Sequence, residues 1–347
     1  MPFLDDAGLR QNLKQNILFP VYLLYGKERF LLEQALDSLI AQIVPPAARA
    51  WAFQKFDGAA LDAAALKISC DALPMLAERK CVLLTDPNLE KMAKADFDVI
   101  RELIDNPNPT TVLILSFTGL DLNPKTARTK GLLSAIAKVG AVVEFAAKTQ
   151  SELARIVRTQ AEKSGVTISQ ANIVYLISRC GDGLEVLLKE LSKLLSYRTE
   201  GEITRQDIDL LTVQSLEASA FDLSRAMLRN DFNRAFSLLQ ELFAMRVEPL
   251  AILGALNTSF VDLYRAKTAL LAEKKERDLV ELFGYRGREF RVRTALRDAP
   301  RYSIKVLRGC VLALAEADEQ IKATRADGRM VLEQTTAKIL WLVNGGA

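Results

Sequence analysis

A chain of 347 residues, 50% hydrophobic and 26% charged, has the balance of a soluble globular protein and the length of two or three domains. Its formal net charge of only +3 gives no warrant for a dedicated DNA-wrapping protein, which would carry a strongly basic domain, and leaves room for weak or shared nucleic-acid contact. Histidine is absent, which removes mixed cysteine–histidine zinc sites and the side chain most used in general acid–base catalysis.

The opening stretch, MPFLDDAGLRQNLKQN, carries two acids early and no apolar run of signal-peptide length. No later stretch approaches the ~20 apolar residues of a membrane span, so a cytoplasmic chain without membrane contact is expected. Short apolar runs at 21–25, 52–56, 81–85, 112–117 and 141–145 predict strands, several closed by Gly, Asp, Pro or Asn. Between them the spacing predicts helices over 28–44, 62–73, 89–104 and 124–139. In the first of these, Phe30, Leu31, Ala35, Leu36, Leu39 and Ile40 recur at three- and four-residue intervals and form one apolar face. Near-continuous apolar strands spaced by helices predict an α/β domain, residues 1–148, with a parallel sheet covered on both sides.

From about Thr149 the strands end. Helices are predicted over 151–163, 170–179 and 185–197, with turn signals at Ser164-Gly165 and Gly181-Asp182-Gly183. Thr204 offers an N-cap for a short helix through Leu211. Residues 149–212 are therefore expected to form a small all-helical domain. From 213 to 347 the helical pattern is denser, over 221–229, 232–245, 249–271, 279–283, 287–297, 302–323 and 330–343. These Leu- and Ala-rich segments predict a bundle, with Pro249 in a first helical turn.

Residues able to carry chemistry are scarce. The turn after the first predicted strand reads Leu24-Tyr25-Gly26-Lys27-Glu28-Arg29-Phe30. A Walker A loop needs GxxxxGK[ST], so that several backbone N–H groups wrap the phosphates and a hydroxyl holds magnesium. Here the loop is too short, one glycine is present, and Glu28 puts negative charge where phosphates would sit. The later strand end Leu84-Thr85-Asp86-Pro87 supplies one acid and no paired carboxylate. There is no GxSxG elbow, no GxGxxG and no carboxylate cluster with metal spacing. Cys70, Cys81, Cys180 and Cys310 form no CxxC pair and are expected to be free thiols in a reducing compartment. Neither catalysis nor a cofactor nor a metal is expected.

Several segments together resemble one family. The strand running into Leu24-Tyr25-Gly26, followed by Glu28 and an apolar helix, is similar to the opening of DNA polymerase III delta subunits. So is the run from Ala72 to Lys80, ALPMLAERK, which leads into an apolar strand. Gly181-Asp182-Gly183-Leu184 followed by Lys189-Glu190-Leu191-Ser192-Lys193-Leu194 resembles the family's glycine turn and "ELEKL"-like helix. Phe221-Asp222-Leu223, Asp231-Phe232-Asn233-Arg234-Ala235, Glu248-Pro249-Leu250, Ala317-Asp318 and Ile321-Lys322 then follow in the family's order, so the resemblance spans nearly the whole chain.

The resemblance implies an AAA+-like first domain without a working phosphate loop, a small helical lid and an all-α collar. It further implies one place in a pentameric ring with tau or gamma ATPase subunits and a delta-prime subunit, with DNA inside the assembled loader. The implied activity is to bind the sliding clamp, the beta ring, and hold it open. In the family an apolar pair at the end of a first-domain helix grips the clamp. The matching positions here are Met75 and Leu76, with Leu73 and Pro74 ahead of them and Arg79 and Lys80 placed to meet acidic groups at the rim. That pair often includes phenylalanine; neither residue is aromatic here. Read without the resemblance, Met75 and Leu76 would plug one end of the sheet as core residues.

Arg286, Arg288, Arg291, Arg293, Arg297, Arg301, Lys305 and Arg308 form a basic segment opposed locally only by Glu289 and Asp298. It reads either as a solvated helix face or ion pairs to neighbouring subunits, or as a phosphate-facing patch touching DNA. By resemblance, the helices over 249–271 and 330–343 are expected to be collar contacts with neighbouring subunits, while their amphipathic spacing alone reads as an internal core. Three other readings compete. A delta-prime-like or ATPase subunit of the same loader would show a zinc-binding cysteine cluster or a phosphate loop. A small-molecule enzyme would bind its ligand at the carboxyl ends of a doubly wound sheet. A free-standing helical scaffold would have no clamp partner.

Overall fold

The computed structural model describes residues 3–181, 183–285, 289–323 and 326–345, which fall into two compact units, Met1–Ala147 and Lys148–Ala347. The first unit runs β1 (Phe3–Asp5), α1 (Asp6–Lys14), β2 (Val21–Gly26), α2 (Arg29–Ile43), α3 (Arg49–Ala52), β3 (Phe53–Asp57) and α4 (Ala63–Asp71). It continues through β4 (Lys80–Thr85), α5 (Lys94–Asp105), β5 (Thr111–Ser116), α6 (Ala127–Val139) and β6 (Ala141–Phe145). Its six strands form one sheet in the order β1-β6-β2-β5-β4-β3, with every neighbouring pair parallel.

The inner strands β2, β4 and β5 are nearly all apolar because helices cover both faces. Leu23, Val82, Leu84, Leu113 and Leu115 pack with Leu66, Ile100, Ile104, Leu132 and Ile136 from α4, α5 and α6. On the opposite face Tyr22, Leu24, Leu83 and Ile114 are equally buried, on the side of α1 and α2. The predicted apolar face of α2 is the buried one, and Leu32 and Ile43 join it while Phe30 is half-buried. Two departures have local causes. α4 stops at Asp71, short of Leu73, because Pro74 disfavours helical backbone in the residue before it. β1 and α1 were not predicted: β1 is a short edge strand, and α1 starts on the Asp5 carboxylate, which accepts from Gly8 N at 2.8 Å.

The second unit begins with α7 (Gln150–Lys163), β7 (Thr167–Ile168), α8 (Gln170–Cys180), α9 (Leu184–Tyr197), β8 (Glu202–Ile203) and α10 (Arg205–Leu211). β7 and β8 pair in parallel, Thr167 opposite Glu202, so the expected all-helical segment contains one small bridge of sheet. Thr149 and Thr204 each start a helix with a reciprocal capping box, to Glu152 and Asp207. Seven helices follow: α11 (Leu216–Leu228), α12 (Phe232–Ala244), α13 (Pro249–Leu271), α14 (Glu276–Phe283), α15 (Glu289–Asp298), α16 (Ile304–Ala323) and α17 (Gly328–Val343).

Leu223, Leu239, Leu256, Phe260, Leu307 and Leu332 centre the core of this bundle, and Pro249 occupies the first turn of α13 as expected. The connection at 212–215 is held firmly. Arg179 Nε donates to Thr212 Oγ1 at 3.0 Å, Glu190 accepts from Val213 N at 3.0 Å, and Ser215 N donates to the Arg179 carbonyl at 2.8 Å. No described helix is long and apolar enough to cross a membrane.

Candidate functional site

At the carboxyl end of the sheet, β2 ends on Gly26 opposite Phe145 of β6. Gly26 has φ +142°, and a Cβ there would lie 2.1 Å from the Phe145 carbonyl oxygen. Only glycine tolerates that approach. Two residues on, Glu28 N donates to the same carbonyl at 2.9 Å. The end of β6 therefore closes the turn, and an N–H that a phosphate cradle would leave open is already engaged. Asp86, the acid after β4, accepts from Gly119 N at 2.7 Å, Leu120 N at 3.0 Å and Thr118 Oγ1 at 3.2 Å. Its carboxylate pins the loop after β5 and is not presented to a ligand.

The amino end of the sheet is built differently. α4 begins on the Asp62 carboxylate, which accepts from Ala65 N at 3.0 Å, and returns the chain to the end where the strands start. Its last carbonyls are gripped from the turn before β5. Thr111 Oγ1 donates to the Cys70 carbonyl at 2.9 Å, and Asn108 Nδ2 donates to the Cys70 and Asp71 carbonyls at 3.2 and 3.4 Å. Asn108 Oδ1 in turn accepts from Thr110 N and Thr110 Oγ1, both at 2.9 Å. Lys67 Nζ meets Glu102 Oε1 at 2.7 Å, tying α4 to α5. The projection over 72–79 thus springs from an anchored base.

On that projection Leu73 is 77%, Met75 59% and Leu76 78% exposed, so none of the three plugs the sheet. Pro74 and Arg79 are half-buried between them and β4, and Lys80 is already buried in the strand. Leu76 has φ +57°, the left-handed region, which costs a residue with a branched side chain about 1–2 kcal/mol. No burial of its side chain offsets that cost. Leu76 is thus strained and exposed at once. Sequence reasoning missed Ile68, 71% exposed on the last turn of α4, and Asn108, whose position between Pro107 and Pro109 was the available signal of a fixed turn.

Three of the six described cations of the basic segment, Arg291, Arg293 and Arg297, are paired within the second unit. Arg291 Nη2 lies 2.6 Å from Asp262 Oδ2 of α13, and Tyr285 also donates its hydroxyl to Asp262. Arg293 Nε lies 3.0 Å from Glu276 Oε1 of α14, and Arg297 Nε 3.1 Å from Asp298 Oδ1. Arg286 and Arg288 lie outside the described residues; Arg301, Lys305 and Arg308 are exposed. A cleft of about 490 Å³ between α8, α11, α13 and α15 has the Asp262–Arg291 pair in its wall, already satisfied by one another. All four cysteines are buried and free, and burial pushes each thiol up to about 12.

A parallel-sheet unit followed by a helical unit is also the fold of a solved clamp-loader delta protein. The solved Bacillus subtilis DNA clamp loader delta protein matches it with a TM-score of 0.68 at 22% identity, over 96% of this chain and 99% of that one. The DNA polymerase III subunit delta of Bacillus subtilis is 24% identical over 339 residues, 95% of each chain. The probable DNA polymerase III subunit delta of Aquifex aeolicus is 25% identical over 146 residues, 42% of this chain and 41% of that protein. The family model for the DNA polymerase III delta subunit matches residues 22–145, that for its C-terminal domain residues 217–339, and a middle-domain model residues 149–210. The chain belongs to the DNA polymerase III delta-subunit family.

Proposed function

We propose that this chain binds the sliding clamp through the projection over 72–79 and holds the ring open while DNA enters, working mechanically and without hydrolysing nucleotide. The observation that carries this reading is the anchored, apolar, exposed tip of Met75 and Leu76, with Leu76 held in the left-handed region. Burying the two side chains contributes roughly 1.5–3 kcal/mol each before ordering losses. Anchoring of α4 by Asn108 and Thr111 reduces those losses, because the base of the tip is fixed before it binds. Leu73 and Pro74 shape the tip, and Arg79 stands at its edge to meet acidic groups.

Opening needs more than affinity. The tip shifts a closed ring toward an open one only to the extent that it binds the open form better. Its partners are accordingly the clamp and, in a cytoplasmic ring, the tau or gamma ATPase and delta-prime subunits. Within that ring we assign the three-part division at 148 and 212: a clamp-binding unit, a lid over 149–212 and a collar over 213–347. Arg291 and Arg293 serve chiefly to hold α15 to α13 and α14. The test mixes the pure protein with its own sliding clamp in the absence of nucleotide. A complex that Met75→Ala with Leu76→Ala abolishes, while the unfolding midpoint stays put, supports the reading. Full affinity in a double variant that is itself destabilised would return the pair to the core.

A further inference from the structure

We propose that Trp51 is a second anchor for the clamp, on a contact surface reaching from the Met75–Leu76 tip across the amino end of the sheet to the start of β3. This rests on the clamp-binding reading above and adds a residue that reading does not use.

In a parallel sheet all strands start at the same end, so whatever precedes them is displayed together. Among the described large hydrophobics exposed in the first unit, Leu120 alone lies at the carboxyl end. Phe3 opens β1, Ile17 and Trp51 precede β2 and β3, and Ile68, Leu73, Met75 and Leu76 precede β4. Such one-sided exposure marks a contact surface rather than scattered surface residues.

Trp51 is 59% exposed on α3 and is the largest of these side chains. Two observations bring the start of β3, which Trp51 precedes, close to the base of the projection. Phe53 pairs with Cys81 across β3 and β4, so the strand that follows Trp51 starts beside the strand that follows Arg79, the last residue of the projection. Neighbouring strands lie about 4.8 Å apart. Gln54 also hydrogen-bonds Ser69 in the last turn of α4, which joins the start of β3 to the helix that carries Ile68 and the tip. Arg49 lies over the Phe53 ring at 5.4 Å, giving the apolar surface a basic margin on the Trp51 side as Arg79 does on the other. An apolar centre with a basic margin, continuous with the tip, fits the same partner: a clamp surface with an apolar pocket and acidic rim. Tryptophan is the side chain most enriched among residues that dominate interfaces.

The chain has two tryptophans, Trp51 and Trp341, so the variant Trp341→Phe leaves Trp51 as its only indole reporter. Titrating this variant with a tryptophan-free form of the cognate clamp, without nucleotide, is expected to shift its emission to shorter wavelength. The shift should saturate at the clamp concentration that saturates complex formation measured by sedimentation. Trp51→Ala is expected to weaken the complex about tenfold or more at an unchanged melting temperature. A complex that forms normally and is lost on Met75→Ala with Leu76→Ala, but leaves Trp51 emission and Trp51→Ala affinity unchanged, overturns the role of Trp51 and leaves the tip standing. Failure of the wild-type chain to bind its clamp overturns both.

Discussion

Glu28 N donates to the carbonyl oxygen of Phe145 at 2.9 Å, joining the turn after β2 to the end of β6. The same carbonyl lies where a side chain at Gly26 would have to sit. A nucleotide site at this end of the sheet would need that turn to open, which would unpair the last register contact between β2 and β6. The expected outcome is that magnesium and ATP leave the melting temperature of the pure protein unchanged. Gly26→Ala combines a forbidden contact with an unfavourable φ and should lose about 3 kcal/mol or more in urea unfolding. A micromolar ATP affinity would contradict this picture of the turn.

If Leu76 contacts the clamp as proposed, its replacement should separate stability from binding. Replacing it by glycine relieves the left-handed backbone and removes an exposed side chain. Leu76→Gly should therefore keep or slightly raise the melting temperature, by up to about 1 kcal/mol of stability, while clamp affinity falls at least about tenfold. A core residue would show the reverse, and thermal melting beside a binding titration distinguishes the two.

Asn108 positions the tip without touching it. Asn108→Ala removes the donor to the Cys70 and Asp71 carbonyls and the acceptor for Thr110. A loss of about 1–3 kcal/mol is expected. Hydrogen exchange should speed up at the amides of 70–79 beyond the global change, and clamp affinity should fall severalfold. Unchanged local protection in this variant would show that α4 is held by Thr111 and packing alone.

Asp207 is predicted to give the second unit an acid-sensitive step. Hydrogen bonds from Arg198, at 3.0 Å to each oxygen, and from Thr204 hold its carboxyl down at about 2, against 3.8 ordinarily. Its contribution is therefore complete above the ordinary value and fades as pH falls from about 4 toward 2. With Arg198 partly exposed and screened, about 1–2 kcal/mol is expected at neutral pH. Asp207→Asn should be less stable by that amount at pH 7 and level with wild type near pH 2, as chemical unfolding across the range will show.

Much of the fold was legible because its signals are local. β4 and β5 announce themselves as nearly unbroken apolar runs, and Thr204 and Pro249 mark helix starts by chemistry that acts within one turn. β1, β7 and β8 were not legible, since strands of two or three residues carry no period and exist only by pairing with distant partners. The basic segment shows the same limit. Glu289 and Asp298 were visible beside it, but Asp262 and Glu276 reach Arg291 and Arg293 from other helices. At the tip, Pro74 signalled a turn, and residue type alone could not decide whether Met75 and Leu76 face inward or outward. The left-handed backbone at Leu76 has no sequence signature in a leucine.

Clamp opening is tested most directly by comparing two forms of the cognate clamp. One is the closed ring; the other is a variant whose ring interface is broken, so that it stays monomeric. If this chain works by favouring the open ring, it must bind the monomeric form more tightly, by the free energy that the closed interface withholds. Tighter binding to the monomer, lost with Met75→Ala and Leu76→Ala, is the expected result. Equal affinity for both forms would mean that the chain grips the clamp without opening it.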